Sequence, residues 1–317
     1  MKALQCTELG GPEKLQVNEI DAPEVMPGHV VIDVKSGSIN FPDVLMIQGL
    51  YQFQPPLPFI PGGESAGVIS EVGEGVTKFK EGDKVFAMTG VGAFAEKILA
   101  AESNCMPIPE SMDFDSAAAL SMTYGTSLYA LKQRASLQPG ETLLVLGASG
   151  GVGLAAIELG KAMGAKVIAA ASTQDKIDMC LSHGADEGFI YPSSNLDREQ
   201  QKELSNKIKE LTGGLGPNVI YDPVGGSYAE PCLRSIAWEG RYLVIGFAAG
   251  ADQIPKMPLN LTLLKGCQIV GVFWGAWVGQ FPDENKKNFD ELFNLYSEGK
   301  INPEVSQKYS LEDSASA

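Results

Sequence analysis

The sequence predicts a two-domain α/β protein, a mostly antiparallel β domain followed by a doubly wound parallel sheet. Three observations carry that reading. Residues 1 to 123 hold short apolar runs such as HVVIDVKSGSI, SAGVISEVG and DKVFAMTG, bounded by turn residues and without a long helical pattern. From about Gly125 strand and helix patterns alternate, as they do in parallel sheets with helices on both faces. Between Leu143 and Ser172 an apolar strand runs into a glycine cluster, a helix and a second apolar strand.

The alternating units follow in order. Strand TLLVLG leads to helix GLAAIELGKAM, strand KVIAAA to helix KIDMCLSHG, and strand GFIY to a helix from Asp197 to Leu211. Strand NVIYDP then leads to a helix from Tyr228 to Ile236, and strand RYLVIGF closes the set. After Leu259 a sixth strand, QIVGVFWG, precedes helix NFDELFNLYSEGK, whose Phe289, Leu292, Phe293 and Tyr296 recur at i, i+3, i+4 and i+7. That last segment is expected to return to the first domain. The expected division is therefore 1–123 with 263–317 for the β domain and 124–262 for the parallel-sheet domain.

Composition narrows the function. The 317 residues are 44% hydrophobic, enough for two packed cores. A net charge of −15 without any Lys/Arg run argues against nucleic acid or an anionic membrane surface and for a small-molecule partner. The N-terminal residues carry no signal-peptide pattern, and no apolar run reaches the roughly 18 residues of a membrane span. A cytoplasmic location is expected. Cys6, Cys105, Cys180, Cys232 and Cys267 are an odd number without close pairing, which fits buried thiols in a reducing compartment better than a disulfide framework.

The glycine cluster ASGGVG, from Ala148 to Gly153, is a dinucleotide loop by its context, with a strand before it, a helix after it and a second strand about 20 residues on. Ser149, Gly150, Gly151 and Val152 are the candidate phosphate contacts, because the free N–H groups and partial positive charge of a helix N-terminus favour an anion. Gly153 falls where helix and strand pack closely, and Ala148 replaces the first glycine of G-x-G-x-x-G. An NAD-preferring site usually ends its second strand with an acid. Here Ala171, Ser172 and Thr173 leave room for a 2′-phosphate, and Lys176 is the candidate countercharge. Asp175 beside it weakens that case, and a solvated helix lysine is the plainer alternative. NADPH is the expected cofactor.

Six stretches, GASGGVGLAAIELGKAMGAKVI, NFPDVLMIQGLY, PFIPGGESAGVISEVGEGV, TYGTSLYAL, YDPVGG and GRYLVIGFAAG, together resemble the quinone oxidoreductase branch of the medium-chain dehydrogenase/reductase superfamily over nearly the whole chain. The resemblance implies a GroES-like β domain and a Rossmann domain, NADPH in the cleft, usually a homodimer, and reduction of quinones or other enones. It also implies no metal. Zinc-dependent members use an early Cys, a His in G-H-E and a further Cys; Asn40 and Gly63 stand at the first two positions, and the only histidines are His29 and His183.

Motif matching implies that Asn40, Tyr51 and Thr126 surround the nicotinamide, with Tyr51 as the hydroxyl donor to the substrate oxygen. In the Pro-rich GLYQFQPPLP an aromatic also serves to cover a core edge. Asp43 reads as hydrogen-bonding within the NFPD turn or, more plainly, as an Asx turn or N-cap for VLMIQG, and Met46 stands where many relatives have another Tyr. Tyr191 matches a family tyrosine that stacks near the adenosine and touches the 2′-phosphate. Gly246 and Phe247 after the fifth strand, and Phe273, Trp274 and Gly275 after the sixth, match segments whose backbone meets the nicotinamide carboxamide; ordinary packing is the alternative there.

The expected activity is metal-free hydride transfer from NADPH to a quinone or α,β-unsaturated carbonyl. An enoyl-CoA reductase of the acryloyl-CoA type and a catalytically idle NADPH-binding protein are the alternatives. The final YSLEDSASA reads as a strand end, Ser310 as N-cap and a first helical turn. Relatives continue from there, so the chain is expected to be cut short.

Overall fold

The computed structural model describes residues 1–193 and 195–317. Contacts divide the chain into two compact units, Met1–Met122 with Pro303–Ala317, and Thr123–Asn302.

In the first unit, β1 (Lys2–Cys6) and β2 (Leu15–Glu19) form an antiparallel pair. A second sheet is built from β3 (His29–Ser38), β4 (Glu64–Val72), β5 (Lys84–Met88), β6 (Lys97–Ala101) and β7 (Cys105–Pro107). Its order is β6-β3-β4-β5-β7, antiparallel throughout. Val30, Ile32, Ile69, Val85 and Ile98 fill the core of this sheet. Helix α1 (Phe41–Ile47) lies between β3 and β4 in sequence and carries Pro42 in its first turn, where the missing N–H costs no helical bond.

Helix α2 (Phe114–Leu128) continues into a π-helical turn over Tyr129–Arg134. The sequence reading missed the start of this helix because FDSAAALSMT is rich in small residues and lacks a clear apolar stripe.

The second unit holds a six-stranded parallel sheet. Its elements are β8 (Thr142–Val145), α3 (Gly151–Ala162), β9 (Lys166–Ala171), α4 (Gln174–Ser182), β10 (Glu187–Ile190), α5 (Arg198–Leu211) and β11 (Val219–Asp222). They are followed by α6 (Ala229–Ser235), β12 (Arg241–Val244), α7 (Asn260–Lys265), β13 (Gln268–Gly271), α8 (Trp274–Gln280) and α9 (Pro282–Ser297). The order is β10-β9-β8-β11-β12-β13. The strand order switches at β8, with β9 on one side and β11 on the other, and open parallel sheets bind ligands outside the carboxyl ends of the strands at such a switch point. Leu144, Ile168, Ile220, Leu233 and Ile236 pack the core. Helix starts are chemically marked. Asp197 accepts N–H bonds from Glu199 and Gln200 at 2.9 Å, while Gln200 returns a bond from the Asp197 N–H, a capping box.

Three expectations are corrected. The segment 263–302 does not return to the first domain: β13 pairs along its length with β12, and only Pro303–Ala317 joins the first unit. The sixth strand ends at Gly271 rather than running through FWG, because Trp274 already opens α8. The C-terminal YS forms no strand, although Ser310 does cap a turn, its Oγ accepting the Asp313 N–H at 3.2 Å.

Candidate functional site

The loop after β8 is shaped by backbone geometry. Gly147 has φ +54°, in the left-handed region that favours glycine. Gly150 is the N-cap of α3 in extended conformation, and Leu154 N–H bonds back to its carbonyl at 2.8 Å. Gly150 and Gly151 are exposed, Ser149 and Val152 half-buried. The first-turn N–H groups, which have no intrahelical acceptor, therefore lie at an accessible helix end. A Cβ on Gly153 would stand 2.6 Å from the carbonyl oxygens of both Gly147 and Ala148.

At the end of β9, Lys176 Nζ donates to Ser172 Oγ at 3.1 Å. The expected pair is thus assembled, with the ammonium directed to Ser172. Tyr191 is placed differently from expectation. It is buried, its ring lies 4.8 Å from that of Tyr228, and its hydroxyl accepts the Gly147 N–H at 3.1 Å. Instead of offering a stacking face, it braces the glycine loop, and its hydroxyl proton is left to donate. Burial pushes its pKa up to about 12, so it stays protonated.

Gly246 and Phe247 lie on a loop laced to the end of β11: the Ile245 N–H bonds Asp222 O at 3.0 Å and the Ala248 N–H bonds Pro223 O at 3.0 Å. Asp222, which the sequence reading passed over, is buried. Its Oδ1 accepts the N–H groups of Val224 and Gly225, both at 2.8 Å, and its Oδ2 takes the Tyr242 hydroxyl. Its signal was an acid closing the apolar strand VIYD before PVGG. Phe247 also lines a cavity of about 240 Å³ with Tyr242, Pro255 and Met257. Phe273 is exposed, whereas Trp274 is buried and packs on the Gly125 backbone, where an added Cβ would meet its ring at 2.5 Å. Its indole N–H has no partner among the described residues, and Gly275 faces open space.

Thr126 is half-buried on α2. Its neighbour Ser127 fixes that turn, with Oγ 2.8 Å from Thr123 O, 3.0 Å from Val152 O and 2.8 Å from the Tyr221 hydroxyl. A second acid missed from sequence, Glu158 on α3, is buried and binds the Tyr124 hydroxyl at 2.6 Å, the Asn302 N–H at 2.8 Å and His183 Nδ1 at 2.7 Å. A charge on the apolar face of AAIELGKA was its signal.

In the first unit, Asn40 caps α1. Its backbone N–H donates to Asp43 Oδ2 at 2.8 Å and its Nδ2 to Glu64 Oε1 at 2.6 Å. Asp43 is buried inside the first turn of α1, so the N-cap is Asn40 and not Asp43, and its bond lies within the NFPD turn. Burial pushes its carboxyl up to about 7, N–H bonds from Asn40, Gly62 and Gly63 pull the other way, and the nearby Glu64 adds to the rise. Glu64, also missed from sequence, is buried at the start of β4, and burial is the main cause that raises its pKa. Tyr51 is half-buried against Cys6, Met46, Ile47 and Phe59, so it does cover a core edge. Burial and the Asp43 charge raise its pKa, which keeps a proton on the phenol. Met46 is fully packed in that cluster.

Among the described residues no three His, Cys, Asp or Glu side chains are grouped to hold a metal, and no helix is long and apolar enough to cross a membrane.

Comparison with known proteins agrees with this architecture. Residues 26–110 match the alcohol dehydrogenase GroES-like domain and residues 151–294 the zinc-binding dehydrogenase family. The chain is 38% identical over 314 residues to the quinone oxidoreductase-like protein 2 homolog of Nematostella vectensis, covering 98% of this chain and 83% of that protein. Two solved structures each cover 100% of this chain and 94% of theirs. They are a probable oxidoreductase from Mycobacterium abscessus (TM-score 0.87, 36% identity) and the quinone oxidoreductase of Escherichia coli in complex with NADPH (TM-score 0.88, 30% identity). The chain belongs to the quinone oxidoreductase-like branch of the medium-chain dehydrogenase/reductase superfamily.

Proposed function

We propose that the chain is an NADPH-dependent reductase that transfers hydride to a quinone or an α,β-unsaturated carbonyl without a metal. The observation that carries the cofactor choice is the Lys176 ammonium 3.1 Å from Ser172 Oγ, where an NAD site would place an acid. The residues fit the group. An accessible helix N-terminus opens with Gly150 and Gly151. Residues 149–152 would hold the pyrophosphate, Ser172 and Lys176 the 2′-phosphate, and the 246–247 and 273–275 segments the carboxamide. When bound, the dinucleotide supplies a hydride. Asn40 and Thr126 would orient the reacting groups, and Tyr51, held protonated, or water would give the substrate its proton.

The metal-free reading rests on the chemistry at hand: Asn40 and Gly63 replace two zinc ligands, and reduction of a conjugated acceptor spreads the incoming charge without a Lewis acid. A homodimer is part of the reading. Among the described residues the outer side of β13 has no strand beside it, and Leu259, Leu263 and Ile269 nearby are exposed. Five free buried cysteines support a reducing, cytoplasmic setting.

Residues 1–123 carry seven Lys, no Arg and seventeen acids, a surface that favours neutral acceptors over CoA thioesters. The test is a spectrophotometric screen of NADPH and NADH oxidation with quinones, enals and enoyl-CoAs. Higher kcat/KM for neutral acceptors with NADPH supports the proposal. A tenfold preference for crotonyl-CoA would transfer it to the enoyl-CoA class, and no turnover of bound NADPH with any acceptor would leave an idle binding protein.

A further inference from the structure

Glu64 is fully enclosed in the first unit, and both of its oxygens are committed. Oε2 accepts the Met122 N–H at 2.7 Å and the Ser121 hydroxyl, and Oε1 accepts Asn40 Nδ2 at 2.6 Å. A carboxylate surrounded by donors accepts from all of them, whereas an amide in its place would bring two donors of its own. The Asn40 amide is therefore oriented by its surroundings. Its Nδ2 faces Glu64 and, at 3.3 and 3.4 Å, the Ser38 hydroxyl and carbonyl oxygens. Turned over, Asn40 would set its own oxygen against a carboxylate and a carbonyl.

We propose that Glu64 is a positioning residue that locks the Asn40 side chain with its nitrogen inward, so that Asn40 meets a bound ligand as a hydrogen-bond acceptor through Oδ1 and selects a hydroxyl or amide N–H there. This rests on the proposed function in placing a ligand at Asn40. The donor belongs to the cofactor, because a quinone or an α,β-unsaturated carbonyl brings only acceptor oxygens.

The test exploits the asymmetry of the pair. In Glu64→Gln the amide oxygen is expected to stay on the Met122 N–H, a fixed backbone donor at 2.7 Å, so the amide nitrogen opposes Asn40 Nδ2 and drives the Asn40 amide over. The ligand-facing atom becomes a donor. Exchanging the pair, Asn40→Asp with Glu64→Gln, reverses the inner bond and returns an oxygen to the ligand side. The expected result is about a tenfold loss in Glu64→Gln, the scale of one hydrogen bond replaced by a donor–donor clash, with recovery to within about threefold in the exchange variant.

NADPH binding is read by fluorescence titration and acceptor reduction by the split of kcat and KM. A weaker NADPH Kd supports the inference, and a loss confined to acceptor kcat/KM with NADPH Kd unchanged overturns it. Glu64→Gln behaving as wild type, or an exchange variant as impaired as the single one, overturns the inference. If Glu64→Gln does not fold, the exchange variant, which keeps the donor and acceptor count, decides alone. A wild-type protein that binds no NADPH defeats the proposed function instead. The orientation is then still read from the Asn40 side-chain NH2 protons, whose slow exchange in wild type must vanish in Glu64→Gln; rapid exchange in wild type would overturn it.

Discussion

The carbonyl oxygen of Ala148 occupies the space that a side chain on Gly153 would need, 2.6 Å from an ideal Cβ, with the Gly147 carbonyl equally close. Both obstacles are backbone, so relief requires moving the loop whose N–H groups face the expected pyrophosphate. Gly153→Ala is expected to cost about 1–3 kcal/mol of stability through overpacking and to weaken NADPH binding together with it. Thermal melting alongside NADPH titration checks both, and unchanged NADPH affinity would contradict the role of this close packing.

Removing the ammonium that sits on Ser172 isolates the cofactor preference. Lys176→Ala should weaken NADPH by roughly 1–2 kcal/mol, the scale of a charge-assisted contact, and leave NADH nearly unchanged. Equal losses for the two cofactors would place Lys176 outside the 2′-phosphate site.

Asp43 gives the fold a pH dependence with a definite sign. Its carboxyl is held up to about 7 in the folded state, chiefly by burial, against an unfolded value of about 3.9. Between those values the folded chain binds a proton that the unfolded chain lacks, so this group's contribution falls as pH rises through the window and is flat above it. Asp43→Asn should remove the slope. Denaturation of both proteins at pH 5 and pH 7 should show the wild type losing about 2 kcal/mol more than the variant over that interval. Parallel stability profiles would show that Asp43 is ionised throughout.

Metal removal should leave activity intact. A thiol ligates zinc as thiolate, yet burial pushes Cys105 up to about 12 and Cys180 up to about 11. His29 Nδ1 contacts the Pro27 carbonyl at 2.9 Å and His183 is engaged by Glu158. Prolonged chelation followed by assay and elemental analysis checks this, and stoichiometric zinc lost together with activity would reverse the proposal.

Local sequence carried the parallel-sheet unit well. Strand KVIAAA coincides with β9, and helix α5 begins one residue after its Asp197 cap, because apolar runs and caps report on neighbours only a few positions away. The Ser172–Lys176 pair was legible for the same reason, since a spacing of four residues spans one helical turn.

What the sequence by itself determined is therefore the fold class, the glycine loop with its helix start and the family resemblance, all of which rest on short-range patterns and their order. The tertiary structure alone decided the rest. Glu64 meets Asn40 across 24 positions and Glu158 meets Asn302 across 144, Tyr191 turns from a ligand face into a brace for Gly147, and β13 takes its place beside β12. A buried carboxylate or an edge strand is set by which distant donors the packed chain delivers to it, and no local pattern encodes that delivery.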